Sequence, residues 1–127
     1  MVYVKSFRDL EVYKLSREVS KEIFIFSKRF PVEEKYSLTD QIRRSSRSIS
    51  SCIAESWAKR RYIKHFISKL TDSLGEEYET EDWLDYSRDC GYITDEVHQG
   101  LISAYDEVRK MLISMINNPE KWCLSQD

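Results

Sequence analysis

The sequence predicts an all-α protein, an antiparallel up-down-up-down four-helix bundle with helices at about 7–30, 38–60, 62–90 and 94–117. Three observations point there. Apolar residues recur at steps of three and four along four successive stretches, which is the period of one face of a helix. Glycine and proline are scarce, three and two in 127 residues, whereas a sandwich or barrel needs many turn positions. The joints between the four periodic stretches are short, as expected of antiparallel neighbours. With 41% hydrophobic and 33% charged residues, the chain can bury one core beneath a charged exterior. It therefore reads as one domain, 1–127, with loosely held tails at 1–5 and 119–127.

Each element has its own signals. Ser6 is placed to cap the first helix, with Asp9 three residues on. Its stripe is Val12, Leu15, Val19, Ile23, Phe26 and Phe30, widened by Leu10, Tyr13 and Phe24, and Pro31 ends it. Ser37 is the candidate cap of the second helix, whose stripe runs Leu38, Ile42, Ser45/Ser46, Ile49, Ile53 and Trp57. Ser45, Ser46, Ser48, Ser50, Ser51 and Ala54 make the middle of this helix small. That suits a central, closely packed helix whose hydroxyls bond back to the i−4 carbonyl. The third stripe is Ile63, Phe66/Ile67, Leu70, Leu74, Tyr78 and Leu84, with Glu76, Glu77, Glu79, Glu81, Asp82 and Asp85 as an acidic outer face. Gly75 inside this helix suggests close approach of another backbone, and Cys90-Gly91 reads as its C-cap. Thr94 starts the fourth helix, with a stripe of Val97, Leu101, Ala104, Val108, Met111/Leu112 and Met115/Ile116.

The formal net charge of −2 conceals an asymmetry. Between residues 41 and 69 there are eight Lys/Arg against one Glu. Between 70 and 96 there are ten Asp/Glu against one Arg. Such neighbouring stretches either attract each other across the bundle or leave a basic face for an acidic partner. Arg43 and Arg47 share a helix face at i, i+4, Arg44 stands beside them, and Lys59, Arg60, Arg61 and Lys64 continue the charge. Trp57, Tyr62 and Phe66 are interleaved. Arginine can hold phosphates bidentately and aromatic rings can stack on bases. These seven cations are the candidate nucleic-acid-binding residues.

Nothing in the sequence points to catalysis. There is no GxxxxGK[ST], GxGxxG, HExxH or CxxC. His65 and His98 stand at no recognised ligand spacing, and Glu76 and Glu79 lack the histidines of a di-metal bundle. Cys52 reads as a structural thiol. No cofactor, metal site or enzyme activity is expected. Three cysteines far apart suit a reducing, cytoplasmic compartment, and no signal peptide or membrane span is expected.

FRDLEVY at 7–13, FPVEEKYSLTDQIRRSSRSISSCIAES at 30–56, LGEEYETEDWL at 74–84 and CGYI at 90–93 together carry a resemblance. They are similar to the bacterial four helix bundle proteins encoded in 23S rRNA intervening sequences, the S23 family. That family is related to the accessory variability determinant of diversity-generating retroelements. Gln41, Arg43, Arg44, Ser48, Ile49, Ile53, Ala54 and Glu55 match its most specific block. Cys52 stands where the family tends to have Asn, Ser56 where it has Gly, and Tyr13 where it has Trp. The resemblance implies a left-handed four-helix bundle and a homopentameric ring. The retroelement relative works with a reverse transcriptase and binds nucleic acid through basic residues. Two functions follow as expectations. One is a non-enzymatic oligomer binding RNA or a ribonucleoprotein through its basic face. The other is a protein-interaction scaffold whose arginines make salt bridges within or between subunits.

Overall fold

The computed structural model describes residues 4–126 and consists of four long helices: α1 (Glu11–Ser27), α2 (Asp40–Ala58), α3 (Ile63–Asp89) and α4 (Asp95–Asn117). Cross-helix contacts set their senses. Ser20 meets Ser46 and Ser27 meets Arg43 between α1 and α2. Ser45 meets Thr80 and Glu55 meets Lys69 between α2 and α3. Asp85 meets His98 and Glu77 meets Arg109 between α3 and α4. In each pair the residue number rises on one helix as it falls on the other, so neighbours run antiparallel. α4 closes the square against α1, and α2 makes its broadest contact with α3.

The entry to α1 differs from the simple expectation. Ser6 and Asp9 do form a capping box, with the Arg8 amide donating to Ser6 Oγ at 3.2 Å and the Ser6 amide to Asp9 Oδ2 at 3.1 Å. The box closes only a 3₁₀ turn, Phe7–Asp9. Leu10 then adopts an extended conformation, which puts its side chain in the core, and α1 begins after it. At the other end Pro31 forbids continuation, and Lys28–Phe30 tighten into i→i−3 turns rather than extending the helix.

Ser37 is not the cap of α2. It lies within a π-helical turn, Lys35–Thr39, that runs directly into the helix, and its hydroxyl donates to Glu34 Oε1 at 2.6 Å. Tyr92 Oη, from the α3–α4 connection, donates to the other oxygen of Glu34 at 3.0 Å. Together these bonds hold Glu34 below the usual carboxylate range, Ser37 contributing most, while Glu34 pushes the Tyr92 phenol up to about 12.

α2 buries Ile42, Ile49 and Ile53 completely, and with them Ser45, Ser46, Ser50 and Ser56. These serines satisfy themselves along their own helix, bonding back mostly to the i−3 carbonyl: Ser46 to Arg43, Ser50 to Arg47, Ser56 to Ile53. A hydroxyl occupied in this way adds little bulk, so both flanking helices can come close.

The inward face of α3 is Phe66, Leu70, Ser73, Glu77, Thr80, Leu84 and Ser87, a heptad-like run with steps of three and four. Tyr78, expected on this stripe, is 54% exposed, and Glu77, expected outside, is fully buried. Gly75 is not there for close packing, since a Cβ built on it meets nothing within 4 Å. Gly91 does need its identity: it takes φ +77°, and the Tyr92 and Gly91 amides close a Schellman motif on the Ser87 and Arg88 carbonyls at 2.9 Å. Thr94 caps α4 as expected, accepting from the Val97 amide at 3.1 Å. Beyond α4 the expected loose tail has contacts of its own. A 3₁₀ turn, Pro119–Lys121, brings Trp122 and Cys123 onto the core, and the Leu124 amide donates to the Arg60 carbonyl at 3.1 Å.

Candidate nucleic-acid interface

The seven cations singled out from the sequence do not form one face. Arg43 stands sixteen residues from Lys59 along α2, about 24 Å apart at the helical rise, and the helix turns its arginines to different neighbours. The structure sorts them into three places.

Arg44 faces α3. Its guanidinium bonds Glu76 at 3.3 Å and makes a close contact with Glu79, whose Oε2 also accepts from Trp83 Nε1 at 3.0 Å. Partial burial works against the Arg44 charge, but the bonds from Glu79 and Glu76 outweigh it and raise its pKa. This arginine is spent on holding α2 to α3.

Lys59, Arg60, Arg61 and Lys64 lie at the α2–α3 turn. Arg60 stacks on Trp57, its guanidinium 3.7 Å from the ring centroid, and donates from Nε to the Trp57 carbonyl at 2.9 Å. The carbonyls of Arg60 and Arg61 tether the C-terminal segment through Leu124 and Gln126. Lys59 borders a hollow shared with Glu55, His65, Lys69 and Asp72, where charges of both signs alternate. This end of the bundle is basic but mixed.

Arg43 and Arg47 face α1. Arg43 donates from Nε to Ser27 Oγ at 2.7 Å, and the guanidiniums of Arg43 and Arg47 lie 4.7 and 5.5 Å from the Phe24 ring centroid. Between the two helices runs a groove of about 640 Å³ lined by Arg17, Lys21, Phe24, Arg47, Ser50 and Ser51, with Ser20 and Glu18 completing its wall. Arg17 is positioned by Tyr13, whose hydroxyl accepts from its Nη1 at 3.1 Å. Among the described residues, no carboxylate lies within ion-pair distance of Arg17, Lys21, Arg43 or Arg47. Three cations, Arg17, Lys21 and Arg47, thus line one groove together with a single carboxylate, Glu18, and Arg43 adjoins them on the Phe24 ring.

Arg17, Lys21 and Phe24 were not among the candidates. The signal was present as the i, i+4 spacing of Arg17 and Lys21 beside the apolar stripe. It was masked because Glu18 and Glu22 interleave with them, so a charge count along α1 nearly cancels.

The acidic helix is accounted for by structure. Besides Glu76 and Glu79, Glu81 accepts from Arg109 Nη1 at 2.7 Å and Glu77 from the same nitrogen at 3.4 Å. Burial, reinforced by Glu81, raises the Glu77 carboxyl to about 9 against the pull of Arg109. Glu77 Oε2 and Tyr105 Oη, both buried, have no hydrogen-bond partner among the described residues. Burial also pushes the Cys52 thiol up, more than nearby Lys69 lowers it, so it is not poised as a thiolate. His98 is buried and bonds Asp85 at 2.7 Å. Among the described residues, no cluster of His, Cys, Asp or Glu could hold a metal ion, and no helix is long and apolar enough to cross a membrane.

Residues 8–114 match the family described as 23S rRNA-intervening sequence protein. Among solved structures, a protein of unknown function of the S23 ribosomal protein family from Bacteroides thetaiotaomicron is similar at 34% identity, with a TM-score of 0.74. The match covers 83% of this chain and 97% of that one. No curated protein matches the sequence. The chain belongs to the 23S rRNA-intervening sequence protein family.

Proposed function

We propose that this member of the intervening-sequence family is a non-enzymatic protein that binds RNA, alone or within a ribonucleoprotein, through the α1–α2 groove. The observation that carries this reading is the excess of cations at the α1–α2 groove: Arg17, Lys21 and Arg47 line it with one carboxylate, Glu18, Arg43 stands beside it on Phe24, and none of the four is in an ion pair among the described residues. Uncompensated positive charge is costly to gather on one surface unless something negative is to meet it. Of the wider candidate set, Arg43 and Arg47 are the primary phosphate contacts. Lys59, Arg60, Arg61 and Lys64 form a secondary basic end that attracts the same ligand at longer range. Arg44, held by Glu76 and Glu79, performs the salt-bridging role of the scaffold reading.

The protein acts as a homo-oligomer, a pentamer by family resemblance, in a reducing cytoplasmic compartment. Support for self-association is the side chains of Val32, Tyr36, Tyr78 and Tyr86, each more than half exposed. A monomer mass by light scattering at micromolar protein would remove the oligomer.

RNA retention across a salt series tests the binding. For a phosphate-dominated complex, affinity falls linearly with salt on logarithmic axes, and Arg43→Ala/Arg47→Ala should flatten the slope by about 1.4 to 2. Arg44→Ala should leave that slope as it is. An RNA affinity that is absent at low salt, or untouched by the double substitution, refutes the reading.

A further inference from the structure

The groove has a shape as well as a charge, and the shape bears on which RNA enters it. Arg17 and Lys21 stand four residues apart on α1, and Arg43 and Arg47 four apart on α2. Each pair is therefore a row of two cations about 6 Å apart along its helix. Neighbouring helix axes lie about 8–10 Å from each other, and the groove between the two helices holds about 640 Å³. Phe24, the small side chains of Ser20, Ser50 and Ser51, and one carboxylate, Glu18, line it beside the cations. The Phe24 ring holds Arg43 and Arg47 above it, with Lys28 Nζ 4.9 Å from the same centroid. Guanidiniums pinned in this way lose less freedom on binding. Their planes are surfaces on which an unpaired base can stack.

A duplex fits this arrangement poorly. It is stiff, its bases are turned inward, and it offers side chains only its backbones and a wide, shallow minor groove. Lying on the bundle, it would rest across the mouth of the groove, its bases unable to reach the residues that line it. A single strand can lie lengthwise in the groove, with phosphates toward the two cation rows and a base against a guanidinium plane held by Phe24.

Taking the proposed RNA-binding function as its basis, we infer that the α1–α2 groove is selective for unpaired RNA over duplex RNA. It seats one phosphodiester strand between the Arg17/Lys21 and Arg43/Arg47 rows, with the guanidinium planes that Phe24 holds as the stacking platform.

The experiment is fluorescence anisotropy of the intact chain with a labelled oligouridylate 12-mer and with a fully paired 12-base-pair RNA duplex, at matched salt. The single strand should bind at least tenfold more tightly, with a logarithmic salt slope near −3, as expected at about −0.7 for each of four phosphates. Arg17→Ala should reduce that slope by about 0.7. Phe24→Leu should weaken the single strand several-fold while leaving its slope unchanged, since stacking releases no counterions. A duplex that binds as tightly as the single strand overturns the inference and leaves RNA binding standing. Insensitivity to both Arg17→Ala and Phe24→Leu also overturns it, because the strand would then lie elsewhere. Failure of both RNAs to bind overturns the inference together with the function on which it rests.

Discussion

Arg43 and Arg44 are adjacent in sequence, on one helix, with the same side chain, and the bundle gives them opposite fates. Arg44 turns to α3 and meets Glu76 and Glu79. Arg43 turns to α1 and meets a serine hydroxyl and the face of a phenylalanine. The difference is not in the arginines but in what the neighbouring helix offers. α3 presents carboxylates to α2, whereas α1 presents Arg17, Lys21 and Phe24 with a single carboxylate, Glu18. A basic helix in a bundle thus has one side neutralised by its neighbour and one side left for a ligand, and only the second is informative about function.

Substitutions on the two sides of α2 test this division. The largest effect is expected from filling its small positions. Ser45 contacts Thr80 on the α3 side at 2.8 Å, and Ser46 contacts Ser20 on the α1 side at 3.2 Å. Ser45→Leu and Ser46→Leu should each cost about 1–3 kcal/mol in urea unfolding, because a packed interior must distort to admit the added methylenes. Only Ser46→Leu should also weaken RNA binding, since it alone wedges apart the two walls of the groove. Equal losses of affinity from both would erase the distinction between the sides.

Glu77→Gln comes next and concerns the α3–α4 interior. A carboxyl raised to about 9 in the folded state keeps its proton there while the unfolded chain has lost it. Its contribution is therefore fully present below the unfolded carboxylate range and is lost as pH rises toward 9. Native protein should lose melting temperature between pH 5 and pH 9 more steeply than the Gln variant. Parallel curves would mean that Glu77 is ionised in the fold.

Smaller still, Gly75→Ala should stabilise the protein by about 0.5–1 kcal/mol. Alanine removes backbone freedom from the unfolded chain, and its Cβ has open space to occupy. A loss instead of a gain, by thermal melting, would reveal a neighbour at that face, such as a second copy of the chain. The least effect is expected of Arg44→Ala, whose ion pair is nearly half exposed on the arginine side. It should cost about 0.2–1 kcal/mol and leave RNA affinity unchanged.

Much of the fold is legible in the sequence because hydrophobic period and punctuation are local. The steps from Val12 to Ile23 and from Leu101 to Met115, the stop at Pro31, the cap at Thr94 and the left-handed Gly91 need no knowledge of neighbours. Such signals determined four helices, their order and their approximate ends. They failed where a local rule had two solutions. Ser37 looks like a cap, but its hydroxyl goes to Glu34. Ser6 is a cap, but of a 3₁₀ turn. On α3 the period by itself chose Tyr78 over Glu77, because hydrophobicity was the only guide and the core there is polar.

The candidate site was legible only as a list of charges. Arg43 and Arg47 were visible, but so were Arg44 and Lys59, and nothing along the chain ranks them. Tertiary structure decided which cations share a surface, brought in Arg17, Lys21 and Phe24 from a helix more than fifteen residues away, and assigned Arg44 to Glu76 and Glu79. The physical reason is that a helix distributes consecutive residues around its axis at about 100° intervals. Adjacent side chains therefore belong to different neighbourhoods, and whether a charge is neutralised or free depends on the helix it meets.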